Sequence, residues 1–245
     1  MGMAPGKPFC IDSLGGVMVP RPIHCFVFGL LLGSAFLVAA WAGPETLTRD
    51  KLNRGKLDRG KLDRIEGQIN AYRPDPAFKD DMYGLHVLRA ALTAARKGSG
   101  GIGACLVDTA SGQVVETGRN RQYDGYFRSD RHAEMDLLNR YEDRMKKKKT
   151  SEKDPRDCPG LVLVTSIEPC PMCMTRIINA GIKTTLYLEA DADGGMVSRR
   201  SSLPPFWQDF AADREFRQAD CSPELRQIAA DLFHLSSRSF ARNRK

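Results

Sequence analysis

Two short motifs carry the residue types that could do chemistry: His132-Ala133-Glu134 and, 37 residues further on, Pro169-Cys170-Pro171-Met172-Cys173. Imidazole nitrogen and thiolate sulfur are the donors zinc prefers, and a catalytic zinc keeps three protein ligands with the fourth place open to water. His132, Cys170 and Cys173 supply three such ligands. Glu134 is close to a ligand without being needed as one, which suits a carboxylate that handles the proton of a metal-activated water. For this composition the two motifs together are roughly a one-in-five-hundred coincidence. A closed structural zinc site would need a fourth ligand from Cys105, Cys158 or Cys221, and would leave Glu134 without a task.

The elements that must position these residues read as an alternating α and β domain. Met82, Leu85, Leu88, Leu92 and Ala95 recur at helical spacing, with Gly98 placed to end that helix. Gly103 to Val107, turn chemistry over Asp108 to Gly112, and Val114-Val115 make a hairpin. A second helix begins near His132, with Ser129 or Asp130 as its cap, and carries Met135, Leu138, Tyr141 and Met145. Leu161 to Thr165 is an apolar strand of the kind buried on both faces. A third helix follows from about Pro171 to Ala180, ended by Gly181, and Thr184 to Leu188 is the next strand, parallel to the previous one. Ser222 caps a last helix. Cys170 and Cys173, three apart at a helix start, share one side, where the positive helix end favours thiolates. Two helix N-termini thus converge on one metal.

Length and composition set the frame. The chain has 245 residues, 42% hydrophobic and 27% charged, with a net charge of +7. That excludes a collagen-like or largely disordered chain and leaves room for one or two domains. Positive charge permits an anionic partner and says nothing about fold. Residues 25–42 form an uncharged apolar run after Arg21 that ends Ala40-Trp41-Ala42, the parts of a secretory signal peptide or, uncleaved, a membrane anchor. Arg21 orients the remainder outward, and Met18 is the expected translation start. Three copies of a five-residue unit fill 50–64; their leucines share neither a helix face nor a strand side, so the segment reads as a solvated linker.

From roughly Asp80 to Ala190 the chain resembles the cytidine/deoxycytidylate deaminase superfamily, on His132-Ala133-Glu134, Glu168-Pro169-Cys170-Pro171-Met172-Cys173 and Gly118-Arg119-Asn120. The resemblance implies a three-layer α/β/α sandwich around a mixed β-sheet, Zn2+ as cofactor, and assembly as a homodimer. It implies that water activated by zinc attacks the amine-bearing ring carbon of a base and that ammonia leaves, with Glu134 shuttling protons. Asn120 would touch the base or sugar, and the backbone N–H of Ala133 a ring carbonyl or nitrogen. A first ligand of His type separates the chain from the small cytidine deaminases, and the Cys-x-x-Cys spacing from the riboflavin-pathway deaminase. Guanine, deoxycytidylate and tRNA wobble-adenosine deaminases remain, and the tail resembles bacterial nucleoside deaminase sequences.

The expected organisation is therefore 1–42 signal peptide or anchor, 43–76 linker, 77–190 zinc deaminase domain, and 191–245 a helical extension packed on it. The expected activity is zinc-dependent hydrolytic deamination of a nucleoside, nucleotide or free nucleobase. The alternatives are a tRNA adenosine deaminase and, from another class, an inactive zinc-binding protein of the same fold. Export favours small substrates over tRNA; a cytoplasmic location is the alternative. The charged stretch 142–157 and the basic C-terminal tail read as solvated surface rather than a phosphate-contacting patch, because acidic residues interleave in the former. Phe206 and Trp207 read as core in preference to a stacking platform at the pocket mouth.

Overall fold

A computed structural model describes residues 58–147 and 158–241 of the protein. The first element is a helix, α1 (Arg59–Ala71), started by the Asp58 carboxylate, which accepts the Lys61 N–H at 3.2 Å. Leu62, Ile65 and Ile69 are buried along one side of it. This corrects the expectation of a linker over that part of 43–76. The stripe that makes the helix amphipathic takes one leucine from the repeats and two isoleucines beyond them, so the repeat leucines alone hide it. The earlier repeats lie outside the described residues, as do the apolar segment 25–42 and the stretch 148–157.

Helix α2 (Asp81–Arg96) follows, and Gly98, at φ 78°, takes the left-handed conformation just past its end. Leu85, Leu88, Leu92 and Ala95 face the core as the spacing predicts, but Met82 is 59% exposed. Val87, Ala91 and Ala94 complete the buried face instead. Strands β1 (Gly103–Asp108) and β2 (Val114–Arg119) form the antiparallel hairpin. Helix α3 (Ala133–Lys147), strand β3 (Cys158–Ile167), helix α4 (Pro171–Asn179) and strand β4 (Ile182–Glu189) then alternate. β1 pairs antiparallel with β3, while β3 and β4 pair in parallel across α4, giving the mixed sheet.

Beyond residue 190 the chain is more than a helical extension, a second correction. After the short helix α5 (Pro205–Phe210), a strand β5 (Glu215–Gln218) adds to β4 in parallel, so the sheet order is β2-β1-β3-β4-β5. Its sequence, Glu-Phe-Arg-Gln, has too little apolar content to announce a strand. Helix α6 (Pro223–Ala241) closes the fold, its start capped by the Ser222 hydroxyl, which accepts the Leu225 N–H at 3.3 Å. No helix among the described residues is long and apolar enough to cross a membrane.

The strands divide their side chains between two helical layers. On one face Cys105, Val107, Val164 and Leu188 pack with α1, α2 and α6 through Leu62, Ile69, Leu88, Leu225 and Leu232. On the other, Ala104, Leu106 and Leu163 pack with α3 and α4 through Leu137, Leu138 and Ile177. This is the three-layer α/β/α sandwich. Asp81, 1% exposed, ties three helix ends together: it accepts the Tyr72 hydroxyl, the Asp75 N–H at 3.0 Å and the Ser222 N–H at 2.8 Å. Burial, then the hydrogen bond to Asp81, pushes the Tyr72 phenol up to about 12.

Candidate active site

The site forms at the carboxyl end of β3, where the chain turns through Glu168-Pro169-Cys170 into α4. Cys170 occupies the cap position of α4, Pro171 its first turn, and Cys173 lies fully buried one turn in. His132 stands immediately before α3, and its own carbonyl accepts the Asp136 N–H at 2.9 Å. It therefore fills the cap position expected for Ser129 or Asp130. Asp130 is engaged elsewhere, holding Arg128 at 2.8 and 2.5 Å.

These two helix starts meet. The His132 Nδ1 lies 3.6 Å from the Sγ of Cys170 and 3.6 Å from that of Cys173. Tetrahedral zinc with ordinary Zn–N and Zn–S bond lengths requires an N···S separation of about 3.6 Å. The donor set therefore fits zinc in both chemistry and spacing. Among the described residues it is the one group of three or more metal-ligating side chains so arranged. Cys105 and Cys221, offered by the sequence as extra ligands, are free cysteines buried in the opposite apolar cluster, their thiols pushed up to about 12 by burial. The side chain of Cys158 lies outside the described residues.

The three donors share their protons unequally. The Cys170 thiol is lowered to about 4, first by the hydrogen bond from Cys173 and also by His132. Cys173 is pushed up by that same hydrogen bond and by burial. For His132 burial works downward, but the hydrogen bond and charge of Cys170 outweigh it and raise the imidazole. Glu134, in the first turn of α3, is 3% exposed, with Oε2 3.3 Å from the Cys173 Sγ and Oε1 3.5 Å from the Thr165 Oγ1. Burial holds its carboxyl above the usual carboxylate range. A carboxyl so placed can take up and release a proton beside the metal donors.

The two substrate-contact expectations stand differently. Ala133 is fully buried as the first residue of α3, where a backbone N–H has no partner within its own helix. Asn120 follows β2 and is 2% exposed, but its carboxamide is turned onto Gln122: Nδ2 donates to Oε1 at 3.1 Å, and Oδ1 accepts the Gln122 N–H at 3.0 Å. Gly118 explains how this strand end approaches α3, since a Cβ there would lie 2.5 Å from the Ala133 carbonyl oxygen. Asp136 adds the connection by accepting the Arg119 N–H at 3.4 Å and pairing with Arg121 at 3.5 Å.

Sequence reasoning missed Thr165, Asp136 and any task for Glu168, and the first two had no motif to mark them. Trp207 packs with Phe210 against Met174 and Ile178, as a core reading expects, while Phe206 is 67% exposed.

The α/β/α sandwich thus carries, at two helix starts, a His/Cys/Cys group that fits zinc and a buried glutamate beside it. Residues 79–189, a little under half of the chain, match the family model of the cytidine and deoxycytidylate deaminase zinc-binding region. No curated protein matches the chain significantly. Among solved structures, the protein NE0047 in complex with 2,6-diaminopurine is 21% identical over 67% of this chain and 85% of its own, with a TM-score of 0.50. A structure described as guanine deaminase from Nitrosomonas europaea is 21% identical over 69% of this chain and 91% of its own, at 0.48. A structure from work on deaminases that edit A to I at the wobble position of transfer RNA is 23% identical over 62% and 99%, at 0.47. At these identities the likeness is one of fold.

Proposed function

We propose that this chain is a zinc-dependent hydrolytic deaminase that replaces an exocyclic amine of a nucleoside, nucleotide or free nucleobase with oxygen and releases ammonia. The observation that carries the reading is the placement of the buried Glu134 carboxyl 3.3 Å from a member of the His132, Cys170, Cys173 group. When bound, zinc supplies Lewis-acid activation of water at neutral pH. His132, Cys170 and Cys173 hold it. Glu134 takes a proton from the attacking water and returns it to the departing amine, so the C–O bond forms and the C–N bond breaks with no net change in the carboxyl. The raised affinity of Glu134 for its proton suits it to both directions of transfer. The Ala133 N–H orients a ring carbonyl or nitrogen, and Asn120 engages base or sugar once its amide leaves Gln122.

The test is ammonia release by the purified protein on cytosine, adenine and guanine bases, nucleosides and monophosphates, with Glu134→Gln as the blank. Turnover of one compound, absent in the variant, supports the proposal; equal release by both proteins would end it. A second reading, a polynucleotide substrate such as tRNA, draws on Tyr126 and Phe127, 65% and 58% exposed beside Arg128 in the loop from Asn120 to His132, since exposed rings with arginine suit base stacking. Inosine formation in single-stranded RNA, with silence on the small compounds, would favour it. Export through 25–42 and homodimer assembly belong to the same proposal, and cell fractionation and the solution mass test them.

A further inference from the structure

Glu168 lies two residues ahead of Cys170 and is 5% exposed, yet it forms no ion pair among the described residues. Its two oxygens are spent on backbone donors of one loop: Oε2 accepts the Asp191 N–H and Oε1 the Ser198 N–H, each at 3.1 Å. The Glu168 N–H in turn donates to the Glu189 carbonyl at 2.8 Å, and the Met196 N–H to the Pro169 carbonyl at 2.9 Å. Three hydrogen bonds thus bind the two residues before the ligand cysteine to the loop that follows β4, and the fourth ties them to the last residue of that strand. That loop keeps its own shape through Asp191, whose Oδ1 accepts the N–H groups of Asp193 and Gly194. Its Met196 side chain is buried with Met174 and Ile178 of α4. Gly195 is the contact point. A Cβ there would sit 2.4 Å from the Glu168 Cδ and 2.6 Å from the Asp191 carbonyl oxygen.

A carboxylate is the one side-chain group of this length with two acceptor oxygens and no donor. Glutamine would keep the shape but turn an NH2 toward one of the two backbone N–H groups. A buried donor would then lose its acceptor and meet another donor. Cys170 is held on its far side by α4, through the Met174 N–H on its carbonyl at 2.8 Å. On its near side the Glu168 clamp does the holding.

We propose that Glu168 is a positioning residue for the metal centre: by clamping the Asp191–Ser198 loop to the Glu168-Pro169 turn, it fixes Cys170 at the place where His132 and Cys173 meet it. The proposal rests on the reading of these three residues as zinc ligands. Partners outside the ligand set that orient ligands are typically worth 10–100-fold in metal affinity.

The test uses the full chain, zinc-loaded, as wild type, Glu168→Gln and Gly195→Ala. Zinc transfer to a chromophoric chelator is timed, and amide exchange is followed over 190–199. Both variants are expected to surrender zinc about 10–100-fold faster, with faster exchange confined to that loop. Gly195→Ala keeps the carboxylate but intrudes on it, so it carries the test if Glu168→Gln does not fold. Faster loop exchange with wild-type zinc release would overturn the proposal, since a merely structural clamp behaves that way. Unchanged exchange in a folded Glu168→Gln would overturn it too. A wild-type protein that takes up no zinc would instead defeat the site reading itself, a result separable from either.

Discussion

Two buried carboxyls on opposite faces of the sheet, Asp81 and Glu134, are held in different ways. On the face covered by α1, α2 and α6, Asp81 takes three donors at helix ends, and the neighbouring Asp80 accepts the Asp220 N–H at 2.8 Å. On the face covered by α3 and α4, Glu134 accepts from the Cys173 thiol at 3.3 Å and from the Thr165 hydroxyl at 3.5 Å, and burial raises its carboxyl. A carboxyl filled by backbone and hydroxyl donors fastens the chain; one that faces a thiol of the candidate metal group is placed to exchange a proton. The difference teaches that burial alone does not mark a functional residue; the chemistry of the groups around a buried carboxyl does.

That contrast can be broken at either face. Cys173→Ala is expected to abolish both zinc binding and turnover, read by metal analysis and ammonia release. Glu134→Gln should lower kcat by about 10²–10⁴-fold while the zinc content stays at wild type. Leu88→Ala, in the packing face, should cost about 2–5 kcal/mol in denaturant unfolding, with activity per folded molecule unchanged. Tyr72→Phe removes one hydroxyl from the Asp81 network and should cost about 1 kcal/mol, again without touching the zinc. If Tyr72→Phe moved zinc affinity, or Glu134→Gln moved stability as much as Leu88→Ala, the division between faces would fail. Acidification sharpens the same point: the ligands must be deprotonated to hold metal, so zinc should be lost as pH falls. With His132 raised in the metal-free protein, proton competition begins at a higher pH than for a free imidazole.

The metal group was legible because its residue types are rare and their spacing is tied to helix starts. His132, Cys170 and Cys173 converge as the two helix N-termini imply. The strands around Val107 and Val164 were legible because strands buried on both faces leave unbroken apolar runs. Three things were not. Helix α1 hid because the visible repeat, read through Leu52, Leu57 and Leu62, is out of phase with the stripe Leu62, Ile65, Ile69 that folds. Strand β5 hid because an edge strand of four residues needs backbone pairing more than apolar side chains. The embrace of Glu168 by a loop more than twenty residues away depends on tertiary approach, which no local pattern encodes.

Helix α1 carries a practical consequence for handling the molecule. Its side chains fill an apolar groove on α2 and α6, the two helices it touches. A shortened chain beginning at Ala77, where the sequence alone puts the start of the domain, would uncover that groove to solvent. Such a fragment would keep every metal ligand and Glu134, yet lose solubility through an exposed patch on the far side of the sheet.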